Sequence, residues 1–170
     1  MGQVVLTVIG DDRAGLVSAL AEVISGHGAS WERSQMARLA GTFAGIVQVE
    51  VADDRADALV AALRAIDGLL DVTVRRSVAA GPAAAHRFTL SLVGNDRPGI
   101  VHEIATALAA RSVSIDELTT GVRPAPMSGG DLFEATAVLV VPDTLPVDEL
   151  RATLERLADE LMVDLDLTAT

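Results

Sequence analysis

The chain has 170 residues, of which 50% are hydrophobic and 2% aromatic, and its formal net charge is −11. The apolar fraction excludes a disordered chain, and the acidity argues against direct nucleic-acid binding, because neutralisation of phosphates by basic side chains supplies most of that affinity. The four aromatic residues are too few for a base-stacking surface, and the absence of cysteine excludes disulfides, thiol nucleophiles and Cys-based zinc sites. With no recognisable signal peptide or membrane-spanning run, the sequence predicts a soluble cytoplasmic protein.

The first half of the chain predicts six elements in the order strand, helix, strand, strand, helix, strand. A β-branched run predicts the first strand, and apolar residues at helical spacing predict the first helix. The predicted ranges are strands at 4–9, 31–39, 43–51 and 70–74 and helices at 16–24 and 59–66. Asp12 is expected to cap the first helix, Gly28 to end it, and Asp53 or Asp54 to lie near the start of the second.

The second half of the chain repeats the first. When Leu6 is placed on Leu90, VVLTVIGDDRAGLVSALAEVISGHGAS aligns without a gap on FTLSLVGNDRPGIVHEIATALAARSVS. The register then jumps by six, so that Phe43 aligns with Phe133 and the extra residues fall in the turn-forming segment PAPMSGG. The repeat predicts strands at 88–93, 113–122, 132–141 and 163–167 and helices at 100–110 and 150–161.

An uncharged Gly-Pro segment, VAAGPAAA, separates the two copies. It predicts a first domain at residues 1–77, a short linker at 78–85 and a second domain at 86–170. The element order predicts an α+β protein of two tandem ferredoxin-like βαββαβ domains, each an antiparallel sheet with both helices on one face. Strands such as 138–141 are apolar on both faces, so the other copy or another subunit is expected to cover the second face. Asp164 and Asp166 alternate with apolar residues and are expected on a solvated face.

One chemically informative motif occurs in both copies, at the turn between the first strand and the first helix. The sequences are GDDRAGLV and GNDRPGIV, with Gly10 and Gly94 at the strand ends. Free N–H groups and the helix dipole favour a small anion at such a turn, and Pro98 suits the first turn of a helix. The alternative is purely structural, in which the aspartates of the turn only cap their own helices.

The turn and the element order resemble those of ACT domains, a family of regulatory modules that bind amino acids or other small ligands. Two copies with nothing else attached are similar, more narrowly, to the glycine cleavage system transcriptional repressor group. The resemblance implies a ligand site at the turn and the adjoining domain interface, which falls on Asp11, Asp12, Ala14, Gly15, Asn95, Asp96, Pro98 and Gly99. Asn95 is the better ligand group because an amide both donates and accepts, whereas Asp11 would repel a carboxylate and hold an ammonium group. The two sites are therefore expected to differ.

No catalytic, metal-binding or cofactor-binding constellation is recognisable. His27, His86 and His102 lack a partner acid or nucleophile at a useful spacing, and His27 is expected to cap the end of its helix. Acidic pairs such as Asp53 and Asp54 are typical of solvated helix faces rather than metal sites. Arg13 and Arg97 could bind phosphate beside a helix start, so a small acyl-phosphate hydrolase is a further alternative. The neighbouring aspartates would repel the phosphate.

The sequence thus predicts a non-catalytic regulatory protein that senses a small metabolite, such as glycine or another amino acid, and controls a partner protein involved in transcription. The alternative is an allosteric regulatory subunit of an amino-acid metabolic enzyme. Neither reading needs a cofactor, a membrane or direct contact with nucleic acid, and a homodimer is compatible with both. Residues 1–82 carry a net charge of −3 and residues 83–170 carry −8, so a basic partner is expected to dock on the second copy.

Overall fold

Alternating burial along the first strand determines how the first half of the chain packs. The computed structural model describes residues 2–66, 68–77, 85–125 and 130–169. Val4, Leu6 and Val8 are buried, whereas Thr7 and Ile9 are exposed. Successive side chains of a strand point to opposite faces, so one face of this strand is lined by aliphatic groups that require a cover.

The chain divides into two compact units, unit one at residues 1–80 and unit two at residues 81–170. The elements of unit one are β1 (Gly2–Asp11), α1 (Leu16–Gly26), β2 (Ser30–Leu39), β3 (Thr42–Val51), α2 (Ala56–Arg64) and β4 (Asp71–Ser77). They form a four-stranded antiparallel sheet in the order β2-β3-β1-β4. The first strand therefore lies at the centre of the sheet, between β3 and the last strand of the unit.

Unit two has the same arrangement. Its elements are β5 (Ala85–Asn95), α3 (Ile100–Ala109), β6 (Ser114–Pro124), β7 (Asp131–Pro142), α4 (Val147–Leu161) and β8 (Val163–Ala169). The sheet order is β6-β7-β5-β8, again antiparallel throughout. The backbone N–H of Ala125 donates to the carbonyl of Gly130 at 2.9 Å and closes the β6–β7 hairpin, where the extra residues of the second copy were expected.

In each unit both helices cover the same face of the sheet. Leu16 and Leu20 of α1 and Leu59 and Leu63 of α2 are buried in one cluster with the inward residues of β1 and β3. In unit two the stripe predicted on the second helix faces the core, with Leu150, Leu154 and Leu161 buried and Leu157 partly buried. Each buried aliphatic side chain contributes about 1.5–3 kcal/mol, so these faces supply most of the stability of each unit.

The predicted fold is confirmed: both copies are βαββαβ units with antiparallel sheets and helices on one face. Most strands extend one to three residues beyond the predicted ranges, because a ladder continues after the apolar pattern has ended. The end of α1 is also as predicted, with Gly28 at a φ of 65° and its N–H donating to the Ser25 carbonyl. The His27 ring nitrogen Nδ1 lies 2.8 Å from the carbonyl oxygen of Val23, as expected for a cap.

The sheet face opposite the helices is mixed in character. Ile46 is 53% exposed and Ile9 is 47% exposed, while Asp164 and Asp166 point to solvent as predicted. Cover of this face by the other copy or by another subunit stays a prediction. The domain bounds also stay a prediction, since residues 78–84 of the expected linker lie outside the described residues and Ala85 already belongs to β5.

The close approach of β8 to the end of β5 depends on glycine at position 94. A Cβ placed on Gly94 would lie 2.9 Å from the Cβ of Val163, whereas a Cβ on Gly121 of β6 would meet no atom of the described residues within 4 Å. We expect Gly94→Ala to destabilise unit two by about 1–3 kcal/mol, the usual cost of overpacking. Urea unfolding followed by circular dichroism measures the change, and Gly121→Ala is the matched control. Equal stability of the two variants would contradict this account of the packing.

Candidate functional site

The turn that joins the first strand to the first helix is built on a left-handed glycine in both units. Gly15 precedes α1 with a φ of 93°, and Gly99 precedes α3 with a φ of 101°. Within the described ranges neither helix has a side-chain cap, so the prediction that Asp12 caps the first helix is wrong, and Asp96 does not cap the third. Pro98 lies before the cap position rather than in the first helical turn, because the chain must first pass through the glycine.

A backbone hydrogen bond ties each turn to the neighbouring hairpin. The N–H of Asp12 donates to the carbonyl of Gly41 at 2.9 Å, and the N–H of Asp96 donates to the carbonyl of Asp131 at 2.8 Å. The helices start at Leu16 and Ile100 with Gly15 and Gly99 at the N-cap, so Asp12 and Asp96 lie three residues before the position from which a side chain caps a helix. Their backbone N–H groups are instead bonded to the neighbouring hairpin.

In unit one, Asp12 is the residue of the turn that forms an ion pair. Arg38 of β2 donates to the Asp12 carboxylate, with Nη1 3.1 Å from Oδ2. Arg13 turns the other way, and its guanidinium donates to the backbone carbonyl of Gly68, just before β4. Among the described residues no carboxylate pairs with Arg13.

In unit two, the arginine of the turn is the paired residue. Arg97 makes a two-pronged contact with Glu103 on the first turn of α3, with Nη1 3.0 Å from Oε1 and Nη2 3.3 Å from Oε2. Paired contacts of this kind are stronger and more directional than a single charged hydrogen bond. Within the part of the chain that is described, no side chain pairs with the Asp96 carboxylate.

A pocket of about 360 Å³ lies beside the turn of unit one. Its charged lining is Arg13, Asp11 and Asp71, which come from the turn, the end of β1 and the start of β4. The remaining lining is Ile9, Gly10, Thr42, Gly68, Leu69 and Leu70. One cation, two carboxylates and an aliphatic wall can bind a small molecule that carries both signs of charge.

A pocket of about 600 Å³ lies at the corresponding place in unit two. Its polar lining consists of the Asn95 amide and the carboxylates of Asp159 and Asp164. Met162, which is 80% exposed, and Val163 contribute apolar surface. Among the described residues no basic side chain lines this pocket. The two carboxylates therefore give it a negative electrostatic potential.

The structure brings only two of the predicted site residues into these pockets, Asp11 and Asn95. The others form the turn without lining either pocket: Asp12, Ala14, Gly15, Asp96, Pro98 and Gly99. The sequence did not predict that Asp71 and Asp164 line the pockets. Antiparallel pairing places Asp71 opposite Ile9 and Asp164 opposite Val93, near the ends of the first strands. The register of the sheet was the signal that would have revealed them.

The other titratable groups remain scattered. His86 lies 3.4 Å from Asp143 at an exposed position, and His102 is exposed on α3. Within the described residues no group of three or more His, Asp or Glu side chains is arranged to hold a metal ion. No helix in those same ranges is both long enough and apolar enough to cross a bilayer.

Comparison with known proteins agrees with this architecture in both halves of the chain. The ACT domain matches residues 2–77 and, a second time, residues 88–159. The chain belongs to the ACT domain family. ACT domains are regulatory, ligand-binding modules, and this protein is a tandem of two of them.

Solved structures extend the likeness over the whole tandem. The crystal structure of an unknown protein from Galdieria sulphuraria has 30% identity and a TM-score of 0.90, covering 99% of this chain and 98% of that one. The crystal structure of a protein proposed to be a glycine cleavage system transcriptional repressor has 15% identity and a TM-score of 0.75, covering 99% and 97%. The second likeness shows that the two proteins share a fold. No curated protein matches the sequence.

The left-handed glycine of the first ACT domain can be tested within one helix. Beyond the neighbouring backbone, a Cβ on Gly15 or on Gly26 would meet no atom of the described residues within 4 Å, so neither substitution introduces a clash, and of the two only Gly15 has a positive φ. We expect Gly15→Ala to cost about 1–2 kcal/mol because a side chain disfavours positive φ, and Gly26→Ala to stabilise by about 0.4–1 kcal/mol. Thermal unfolding of both variants measures the difference. A stabilised Gly15→Ala would show that the turn does not require the left-handed conformation.

Proposed function

We propose that this tandem ACT-domain protein is a non-catalytic sensor that binds a free amino acid and controls a partner protein. The observation that carries the proposal is the pocket of unit one, where Arg13 and the carboxylates of Asp11 and Asp71 line the same 360 Å³. An α-amino acid has a carboxylate for the guanidinium and an ammonium group for the aspartates. Its side chain can lie against Ile9 and Leu70.

Regulation without catalysis fits the chemistry of the turns. A hydrolase acting on acyl phosphates needs a cation for the phosphate and a side chain that positions water. In unit two the cation of the turn is paired with Glu103, and in unit one the pocket holds two carboxylates that would repel a phosphate. Family membership supports the same conclusion, since ACT domains are regulatory modules.

Glycine is the first ligand to test, because one structural relative is proposed to be a glycine cleavage system transcriptional repressor. We propose a cytoplasmic protein whose effect on transcription is exerted through another protein, given the net charge of −11. Control of an amino-acid metabolic enzyme is the alternative. Affinity capture from lysate with the tagged full chain distinguishes them, because a transcription factor would support the first and a biosynthetic or catabolic enzyme the second.

Isothermal titration of the full chain with glycine, L-serine and the branched-chain amino acids tests the sensor. At least one of them is expected to bind, and analogues lacking either charged group should bind about 10-fold or more weakly, since each removes a charge-assisted hydrogen bond. For glycine these analogues are methylamine and acetate. Absence of heat with every amino acid would rule out the sensor.

The charge distribution also makes a prediction about DNA. The purified chain alone is expected to give no shifted band with duplex DNA at ordinary salt, because it is too acidic to replace the counterions of the phosphates. The same assay repeated with a captured protein partner provides the comparison. A salt-sensitive complex of the isolated chain with DNA would contradict action through a protein.

A further inference from the structure

The two copies of the turn share an aspartate followed by an arginine, yet each copy pairs a different member of that couple. Arg38 binds Asp12 in unit one, whereas Glu103 binds Arg97 in unit two. We propose that these contacts leave a cation available at the first turn only, so that the amino-acid carboxylate binds in unit one through Arg13. This assignment rests on the proposed function, and it identifies the pocket of unit one as the amino-acid site and Arg13 as the group that binds the carboxylate.

Two sequence differences between the copies account for the different pairing. The alignment of the two copies places Ala19 at the position of Glu103, and Val122 at the position of Arg38. Arg38 and Val122 occupy the same place in the ladder, opposite Phe43 and Phe133 respectively. Unit one therefore has no equivalent of Glu103, which pairs with Arg97 in unit two. Unit two has no equivalent of Arg38, which pairs with Asp12 in unit one.

The geometry of Arg13 suits a carboxylate in the pocket. The guanidinium lines the pocket and donates one hydrogen bond to the carbonyl of Gly68, which also lines it. A guanidinium has five N–H donors, so this anchor leaves donors that can bind both oxygens of a carboxylate. The Gly68 carbonyl fixes the direction of the arginine without neutralising it.

The turn of unit two has the opposite electrostatic character. Glu103 takes both terminal nitrogens of Arg97, and the pair lies across the start of α3, with Glu103 Oε1 3.2 Å from the place of a Cβ on Gly99. The adjacent pocket contains Asp159 and Asp164 and, in the part of the chain that is described, no basic residue. A ligand carboxylate would meet negative charge there, although Asn95 looked from the sequence to be the better ligand group.

Variants of the full chain test this assignment by calorimetry with glycine, L-serine and L-leucine as probes. Arg13→Gln is expected to weaken binding about 10-fold to 100-fold, the range for loss of a charged hydrogen bond, while the matched variant Arg97→Gln leaves the affinity unchanged. Arg13→Lys keeps the charge but loses the two-pronged geometry, so its affinity should lie between those of the parent chain and Arg13→Gln. This variant separates the contribution of the charge from that of the guanidinium geometry.

Two exchanges of the pairing residues probe the inference without altering a pocket. Ala19→Glu gives Arg13 the acid that Arg97 has and should weaken binding, whereas Glu103→Ala frees Arg97 and should add a second, weaker site. Amide chemical-shift changes on titration identify the unit that responds, with those near Gly15 expected for the parent chain. Circular dichroism confirms that each variant is folded.

The possible results distinguish failure of the assignment to Arg13 from failure of the proposed amino-acid sensor. Binding that is lost in Arg97→Gln and kept in Arg13→Gln, or lost equally in both, overturns the assignment and leaves the sensor intact. Shift changes confined to residues near Gly99 do the same. No binding of any probe to the parent chain overturns the sensor, and the assignment with it.

Discussion

The left-handed backbone at Gly15 and Gly99 is the constraint on which each ACT domain depends. The chain leaves the central strand and, after a short turn, must lie as a helix over one face of the same sheet. It does so by donating a backbone N–H to the neighbouring hairpin and then passing through a φ of 93° or 101°. Only glycine adopts this conformation at little cost. The pockets lie beside this reversal, between the end of the first strand and the start of the last.

The sequence predicted the fold in detail because each signal occurred twice. Apolar residues at helical spacing in the first copy were matched by a second set in the other copy, and the interruption of the register that the sequence alignment revealed fell at a hairpin. The prediction that Asp12 caps its helix failed because the helix starts three residues later, after the left-handed Gly15. The partners that Asp12 does have are distant in the sequence: its N–H donates to the carbonyl of Gly41 and its carboxylate accepts from Arg38. A local capping pattern contains no information on these long-range contacts.

The candidate site was predictable only in part, for the same physical reason. Asp11 and Asn95 adjoin a recognisable turn, whereas Asp71 and Asp164 reach the pockets through the pairing of strands that lie far apart in the sequence. The Arg38–Asp12 pair is largely exposed, and pairs of that kind contribute about 0–1 kcal/mol to folding, whereas the two-pronged Arg97–Glu103 pair is partly buried. Under the assignment proposed above, the functional effect of these pairs is the charge that each leaves without a charged partner among the described residues.

The position of these pairs outside the two cores has a consequence for how a duplicated domain can diverge. Neither Ala19 nor Val122 is a buried core residue, so a substitution at either position can alter the charge beside the turn without removing a core side chain. Two copies with the same Asp-Arg couple thus present different unpaired charges because of one neighbouring side chain each. The two halves of a tandem protein can therefore differ at a shared motif when a single residue that pairs with the motif differs between them.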